Sequence, residues 1–265
     1  MSVQEELKRL GVQPVDGQNF LTSEAVIKAL VEAGEVEDKN VLEIGPGTGA
    51  ITEELTEKSG KIYTVENDST LANHMKQNFE DIDVVEKDFL DYEIPGDIER
   101  CVSNLPFRIS SETLEKLGKR QIQSSLILQK ELAERAVAEP GSTEYGRFTV
   151  MVNYYFVPVK LRDVSSRNYY PSPEVETSIL KLYPNKERHG IENEDQFFKT
   201  VRALFTHKRK KVRNAFVDSR HILDIEKEEA KELRDELPHS EERVVNLDIR
   251  KISDIAEFLN RNDIN

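Results

Sequence analysis

The spacing of apolar and polar positions changes character twice along the chain. From Asn40 to about Leu132, short apolar runs alternate with stretches whose apolar residues recur at helical spacing. Runs at 41–44 (VLEI), 61–66 (KIYTVE), 82–86 (IDVVE), 100–104 (RCVSN) and 124–129 (SSLILQ) read as strands. The stretches 48–58 and 69–79 read as helices. Strands that alternate with helices predict right-handed βαβ units, and so a mostly parallel, doubly wound α/β sheet. After Gly146 the pattern becomes consecutive β segments. The first is a β-rich run, MVNYYFVPVKL, within 148–164, and the second is NYYPSPEVETSILKLYP. With no helix between them, they predict an antiparallel hairpin at the sheet edge. PNKERHG (184–190) reads as a linker. Beyond it, helices are expected at 194–204, 210–217, 226–237 and 249–260. The predicted plan is an α/β domain over 1–185 and a small all-α domain over 186–265, with no internal repeat.

Composition narrows the class. The chain has 265 residues and one cysteine, Cys101, so no intrachain disulfide can form. Cys101 sits in a predicted strand and is expected to pack there. No apolar run approaches the roughly 20 residues of a membrane span, and MSVQEELKRL lacks signal-peptide features. A cytoplasmic protein is expected. The five histidines show no metal-ligand spacing, so no metal is expected.

The net charge of −13 speaks against a nucleic-acid partner only if charge is spread evenly. It is not. Residues 197–217 contain no acid but hold Lys199, Arg202, Lys208, Arg209, Lys210, Lys211 and Arg213. The rest of the chain carries 30 positive against 50 negative residues, net −20. A charged run is usually a solvated helix face. Here Arg202, Arg209 and Arg213 fall near one helical stripe, and seven positives without a balancing acid favour phosphate contact.

Candidate chemistry gathers at strand ends. EIGPGTG (Glu43 to Gly49) follows the first strand and precedes a helix. Gly45, Gly47 and Gly49 allow close backbone approach to a ligand, although a tight turn alone would also use them. Glu66 ends the second strand, 21 residues after Gly45, where a carboxylate can accept from both hydroxyls of a ribose. Asp88 closes the third strand at the same sheet edge. It could accept from an adenine amine with Phe89 flanking the ring, or simply cap a turn. NLPF (Asn104 to Phe107) ends the fourth strand. The Asn104 side-chain oxygen and the Leu105 carbonyl could hold the two N–H groups of an adenine N6 amine. That would localise its lone pair for attack on an electrophilic methyl. Pro106 stiffens the turn and Phe107 can stack on an extruded base.

These blocks, in this order, resemble the KsgA-type small-subunit ribosomal RNA adenine dimethyltransferases of the archaeal and eukaryotic kind. The resemblance includes GQNFL (17–21), EIGPGTG, VEND (65–68), KDFL (87–90) and NLPFRISS (104–111). It continues through LQKELAERAVAEPGSTEYGRFTV (128–150), YPSPEVETSIL (170–180) and VRALFTHKRKKVRNAF (201–216). It implies a Rossmann-like class I methyltransferase domain with S-adenosylmethionine as donor and S-adenosylhomocysteine as product. It implies two adjacent adenosines in the 3′-terminal hairpin loop of 16S rRNA as substrate, on a pre-30S particle, with the enzyme a monomer. Carried over by position, Gln18, Asn19, Leu21, Glu43, Gly45, Gly47, Gly49, Glu66, Asp88, Phe89 and Asn104 would form the donor site. Asn104, Leu105, Pro106 and Phe107 would form the catalytic segment. Arg108, Arg202, Lys208, Arg209, Lys210, Lys211 and Arg213 would touch RNA. Phe107 stands where the family often has Tyr. Residues 13–16 (QPVD) lack the Lys or Arg usual ahead of GQ.

Three rival readings make different predictions. A large-subunit rRNA methyltransferase would label the other rRNA. An RNA-binding assembly factor would keep the fold but do little chemistry, against which the intact NLPF segment and donor site speak. An NAD-dependent oxidoreductase would bind nicotinamide.

Overall fold

The computed structural model describes residues 2–15 and 17–264, and all their side chains except that of His189. Asp16, in the arm ahead of GQ, lies outside the described residues. The chain forms two compact units. The first comprises residues up to Glu134 together with Phe156–Pro184; the second comprises Arg135–Tyr155 and Asn185 onward.

The first unit opens with α1 (Val3–Leu10), β1 (Phe20–Leu21) and α2 (Glu24–Gly34). It continues with β2 (Val41–Ile44), α3 (Ala50–Thr56), β3 (Ile62–Glu66), α4 (Ser69–Asn78), β4 (Ile82–Glu86), β5 (Arg100–Asn104), α5 (Ser110–Lys119) and β6 (Gln123–Gln129), and the division falls within α6 (Lys130–Ala136). After α7 (Arg147–Tyr155) the chain adds β7 (Phe156–Val164), β8 (Tyr169–Tyr170) and β9 (Thr177–Pro184). The sheet order is β4-β3-β2-β5-β6-β9-β7. The first five strands are parallel, β9 pairs antiparallel with β6, and β7 pairs antiparallel with β9, as the edge-hairpin reading expects.

All of β2 and β3 is buried, because helices cover both faces of a parallel sheet. Leu30 and Val31 of α2, Val41 of β2, Leu55 of α3, Val102 of β5 and Ile127 of β6 share one core cluster. The strand order reverses between β2 and β5, so their carboxyl ends splay apart into a crevice. Short local signals set the helix starts there. Asp68 caps α4 by accepting from the Thr70 and Leu71 amides at 2.8 and 3.0 Å.

Two readings of the sequence need correction. The run MVNYYFVPVKL does not start as a strand, since its first five residues lie in α7. Phe148, Val150, Val152, Tyr154 and Tyr155 are all buried, so apolar residues fall at adjacent and alternate positions and the helical period is hidden. Asn153 donates to the Thr149 carbonyl at 2.8 Å, and packing overrides the β preference of Val and Tyr. The boundary near residue 185 also misses a piece, because 135–155 belongs to the second unit. The Tyr154 ring stacks on Phe197 at 5.4 Å, the Tyr155 ring on Phe198 at 5.8 Å, and the Tyr145 hydroxyl donates to the Leu247 carbonyl at 2.7 Å. Such contacts span 40 residues or more of sequence, and no local pattern announces them.

The rest of the second unit is helical: α8 (Glu194–Phe205), α9 (Val212–Asp218), α10 (Lys227–Leu233) and α11 (Ile249–Arg261). The second of these, α9, starts two residues later than the pattern predicts, because Lys210 and Lys211 lie outside it.

Candidate active site

The carboxyl end of β2 leads straight into the glycine turn. Gly45, Gly47 and Gly49 all have positive φ, at 66°, 59° and 90°. At Gly47 the reason is visible: a Cβ would stand 2.8 Å from the Phe20 ring. The Gly47 amide donates to Glu66 Oε2 at 3.1 Å, and the Asp68 amide donates to Glu66 Oε1 at 3.0 Å. Glu66 is thus oriented by backbone on both sides. It is 6% exposed, and burial pushes its pKa upward. Each oxygen keeps a lone pair for a further donor.

The end of β5 carries Asn104. Its Nδ2 donates to the Asn19 carbonyl at 2.8 Å. A carbonyl can only accept, so this bond fixes which end of the amide faces which way. The opposite atom, Oδ1, is buried and has no partner among the described residues. Leu105 is 2% exposed and its amide donates to the Ile127 carbonyl at 3.2 Å. The Pro106 carbonyl accepts from Ile109 N at 3.2 Å and from Ser110 Oγ at 3.3 Å, which starts α5 rigidly.

These strand ends enclose a cavity of about 300 Å³, at the small end of the roughly 300–1,000 Å³ of small-molecule sites. Gln18, Asn19, Leu21, Gly45, Gly47, Glu66, Asn104, Leu105, Pro106, Phe107 and Arg108 line it. Residues 11–260 match the family described as ribosomal RNA adenine dimethylase.

The chain belongs to the ribosomal RNA adenine dimethylase family.

It is 38% identical over 248 residues to the ribosomal RNA small subunit methyltransferase A of Methanopyrus kandleri, covering 91% of this chain and 89% of that one. The protein of the same name from Pyrococcus furiosus is 34% identical over 262 residues, covering 96% and 94%. A solved dimethyladenosine transferase from Plasmodium falciparum superposes with a TM-score of 0.82 at 26% identity, covering 92% of this chain and 98% of that one. The 23S rRNA methyltransferase ErmE, at TM-score 0.66 and 22% identity, shares the fold over 91% of this chain and 99% of its own. The fold is that of class I methyltransferases, and the donor is S-adenosylmethionine. The cavity fits that donor chemically. It offers an oriented carboxylate at Glu66, a glycine turn whose Gly45 and Gly47 backbone lines the wall, and an orphaned acceptor at Asn104.

Four residues assigned to the donor site of this dimethylase do not line the cavity. Glu43 lies beneath the glycine turn at 1% exposure. Its Oε2 accepts from the Thr52 hydroxyl at 2.5 Å, and its Oε1 has no partner among the described residues. Burial, reinforced by the charge of Glu66, raises its pKa to about 8, so it is a neutral acid at pH 7. Gly49 caps α3, and a Cβ there would meet the Phe79 ring at 2.6 Å. Asp88 caps a short turn by accepting from the Leu90 amide at 2.8 Å. Phe89 is 3% exposed, with the Lys116 ammonium 4.9 Å from its ring centre. Residues that the sequence reading passed over also form walls: Gln13, Val15, Phe20, Pro46, Thr48, Asn67 and Asp68. Their neighbourhood to GQ, the glycine turn and Glu66 was the only available signal.

The basic block of the dimethylase looks different in space. Arg202, Arg209 and Arg213 share no helix: Arg202 is in α8, Arg209 in the following turn and Arg213 in α9. Acids from outside 197–217 come to meet the block. Lys199 pairs with Asp224 at 2.7 Å, Lys210 with Asp218 at 2.6 Å, and Lys211 and Arg213 with Glu241. Lys208 donates to the Thr143 and Tyr145 carbonyls at 2.8 and 2.9 Å, tying 135–155 into its unit. Arg202 and Arg209 are exposed and make no side-chain bond among the described residues. Among the described residues no acid, histidine or cysteine cluster could hold a metal, and no helix is long and apolar enough to cross a membrane.

Proposed function

We propose that this dimethylase converts two adjacent adenosines in the 3′-terminal hairpin loop of small-subunit rRNA to N6,N6-dimethyladenosine. The reading places it in the cytoplasm, as a monomer acting on a pre-30S particle.

The observation that supports the chemistry is the buried, unpartnered Oδ1 of Asn104. A buried acceptor without a donor costs about 1–3 kcal/mol, and a base N–H arriving there offsets it. S-adenosylmethionine, when bound, supplies the electrophilic methyl. An adenine N6 amine is a poor nucleophile because its lone pair is delocalised into the ring. Asn104 Oδ1 accepts one N6–H and the Leu105 carbonyl accepts the other. The lone pair is thereby held out of conjugation and aimed at the methyl. The proton leaves after attack, so water suffices as base. Phe107 stacks on the extruded ring, and Pro106 keeps the segment from swinging. Glu66 would hold the ribose hydroxyls of the donor, the Gly45–Gly47 backbone would pass under its methionine and ribose, and Asp88 would read its adenine. Arg108, Arg202 and Arg209 would meet RNA phosphates.

The test is nucleoside mass spectrometry of small- and large-subunit rRNA after incubation of particles with enzyme and labelled donor. N6,N6-dimethyladenosine in small-subunit rRNA, at two adjacent positions, is expected. Label in large-subunit rRNA alone would overturn the reading. Asn104→Ala is expected to lower kcat about 10²–10³-fold, the scale of losing one preorganised polar contact to the reacting group. Particle binding should remain.

A further inference from the structure

The segment 208–213 is not a free arm. Its backbone is pinned to residues 240–245. The Val212 amide donates to the Glu242 carbonyl at 2.8 Å, the Arg213 amide to Ser240 at 3.1 Å, and the Val244 amide to Lys210 at 3.0 Å. The Arg243 guanidinium donates to the Arg209 carbonyl at 2.6 Å. This pairing sets Glu241 between two cations. Its Oε1 meets the Arg213 guanidinium, and its Oε2 accepts from Lys211 Nζ at 2.6 Å. A second carboxylate, Asp235, stands 3.7 Å from Arg213. The Lys211 hydrogen bond holds Glu241 below the usual carboxylate range. The Glu241 side chain remains 59% exposed, so the pair contributes little to stability.

A carboxylate between a guanidinium and an ammonium engages the same donors that a phosphodiester would. We propose that Glu241 is a specificity-determining carboxylate that occupies the phosphate position formed by Lys211 and Arg213. It masks these two cations, so an RNA is held by the phosphate positions left open at Arg202 and Arg209. The proposal rests on the reading of this segment as an RNA face. An RNA that reaches Lys211 through one phosphate competes with a tethered anion already in place. An RNA whose phosphates are spaced to engage Arg202 and Arg209 is seated without that position and gives up nothing to Glu241. An RNA without that arrangement loses the contact it would otherwise make. Selection is by the arrangement of phosphates rather than by base identity.

The test uses the full chain and fluorescence anisotropy across a KCl series. The probes are the labelled 3′-terminal hairpin of small-subunit rRNA and a scrambled single strand of equal length. Glu241→Gln is expected to tighten the scrambled strand about fivefold at 0.1 M salt and to steepen its salt slope by about 0.7, the value of one new phosphate contact on a single strand. Binding of the hairpin should change far less. Glu229→Gln, on the exposed face of α10, adds the same net charge and should leave both RNAs unaffected. Lys211→Gln in the Glu241→Gln background should reverse the gain. Equal tightening of both RNAs, an equal effect of Glu229→Gln, or no gain from Glu241→Gln would overturn the role of Glu241. The double variant Arg202→Ala, Arg209→Ala separates the two levels. If it binds the hairpin as the parent does, the RNA face lies elsewhere and the underlying reading falls. If it weakens binding while Glu241→Gln changes nothing, only the specificity proposal falls.

Discussion

Glu43→Gln tests whether a neutral acid lies under the glycine turn. Glu43 is 1% exposed, with one oxygen on Thr52 and the other without a partner among the described residues. Its pKa is about 8 in the folded chain against 4.5 for an ordinary glutamate, chiefly through burial. The sign follows from linkage. Between pH 4.5 and 8 the folded state holds a proton that the unfolded chain has released. Folding stability must therefore fall as pH rises through that window. At about 1.4 kcal/mol per pH unit, the loss reaches roughly 3 kcal/mol at pH 7 and roughly 5 kcal/mol above pH 8. Glutamine keeps an acceptor for Thr52 and has no proton to lose. The variant should match the parent near pH 4.5 and be the more stable form at pH 8. Glu66 is shifted in the same direction by burial, so part of the slope survives the substitution. The chain has no tryptophan, so circular dichroism or hydrogen exchange of the β2 amides is the suitable readout. A parent whose β2 protection rises from pH 5 to 8, or a variant with an unchanged slope, would refute the reasoning.

Gly47→Ala forces a Cβ toward the Phe20 ring at φ 59°. A loss of about 1–3 kcal/mol of stability is expected, with weaker donor binding by calorimetry. Phe20→Leu should restore part of both; no effect on donor affinity would refute the cradle. The Lys116 ammonium donates to the Phe89 and Leu90 carbonyls at 2.8 Å each, behind the turn that carries Asp88. Lys116→Met should raise the donor KM roughly tenfold, from the loss of charge-assisted bonds worth about 1.5 kcal/mol, with kcat nearly unchanged. A fall in kcat at constant KM would contradict that positioning role.

What could be read from the sequence was what local pattern encodes. Strands β2 to β6, the glycine turn, Glu66 and the NLPF segment each announce themselves within a few residues. Their meeting follows from the alternation of strand and helix, because parallel strands bring their carboxyl ends to one edge. What could not be read depends on partners far along the chain. The helix over 147–155 buries most of its residues and is decided by Glu194, Phe197 and Phe198. The stretch 197–217 contains no acid, and its partners Asp224, Asp235 and Glu241 come from further along the chain. Glu43 sits in the same motif as Gly45, yet strand alternation turns it under the turn instead of into the cavity.

The Asn19 carbonyl has a consequence for when the protein becomes active. It orients Asn104, 85 residues downstream, and its own place is set by β1, whose Phe20 and Leu21 pair with Tyr170 and Tyr169. The Thr22 amide and hydroxyl add bonds to the Asn168 carbonyl at 2.8 and 2.9 Å. A nascent chain that has just completed β5 thus holds every residue of the NLPF segment but lacks the strand that anchors Asn19. Its amide is free to present N–H where oxygen is needed. The contacts that hold Asn19 over Asn104 are therefore complete only once residue 170 has been made and has paired with the start of the chain.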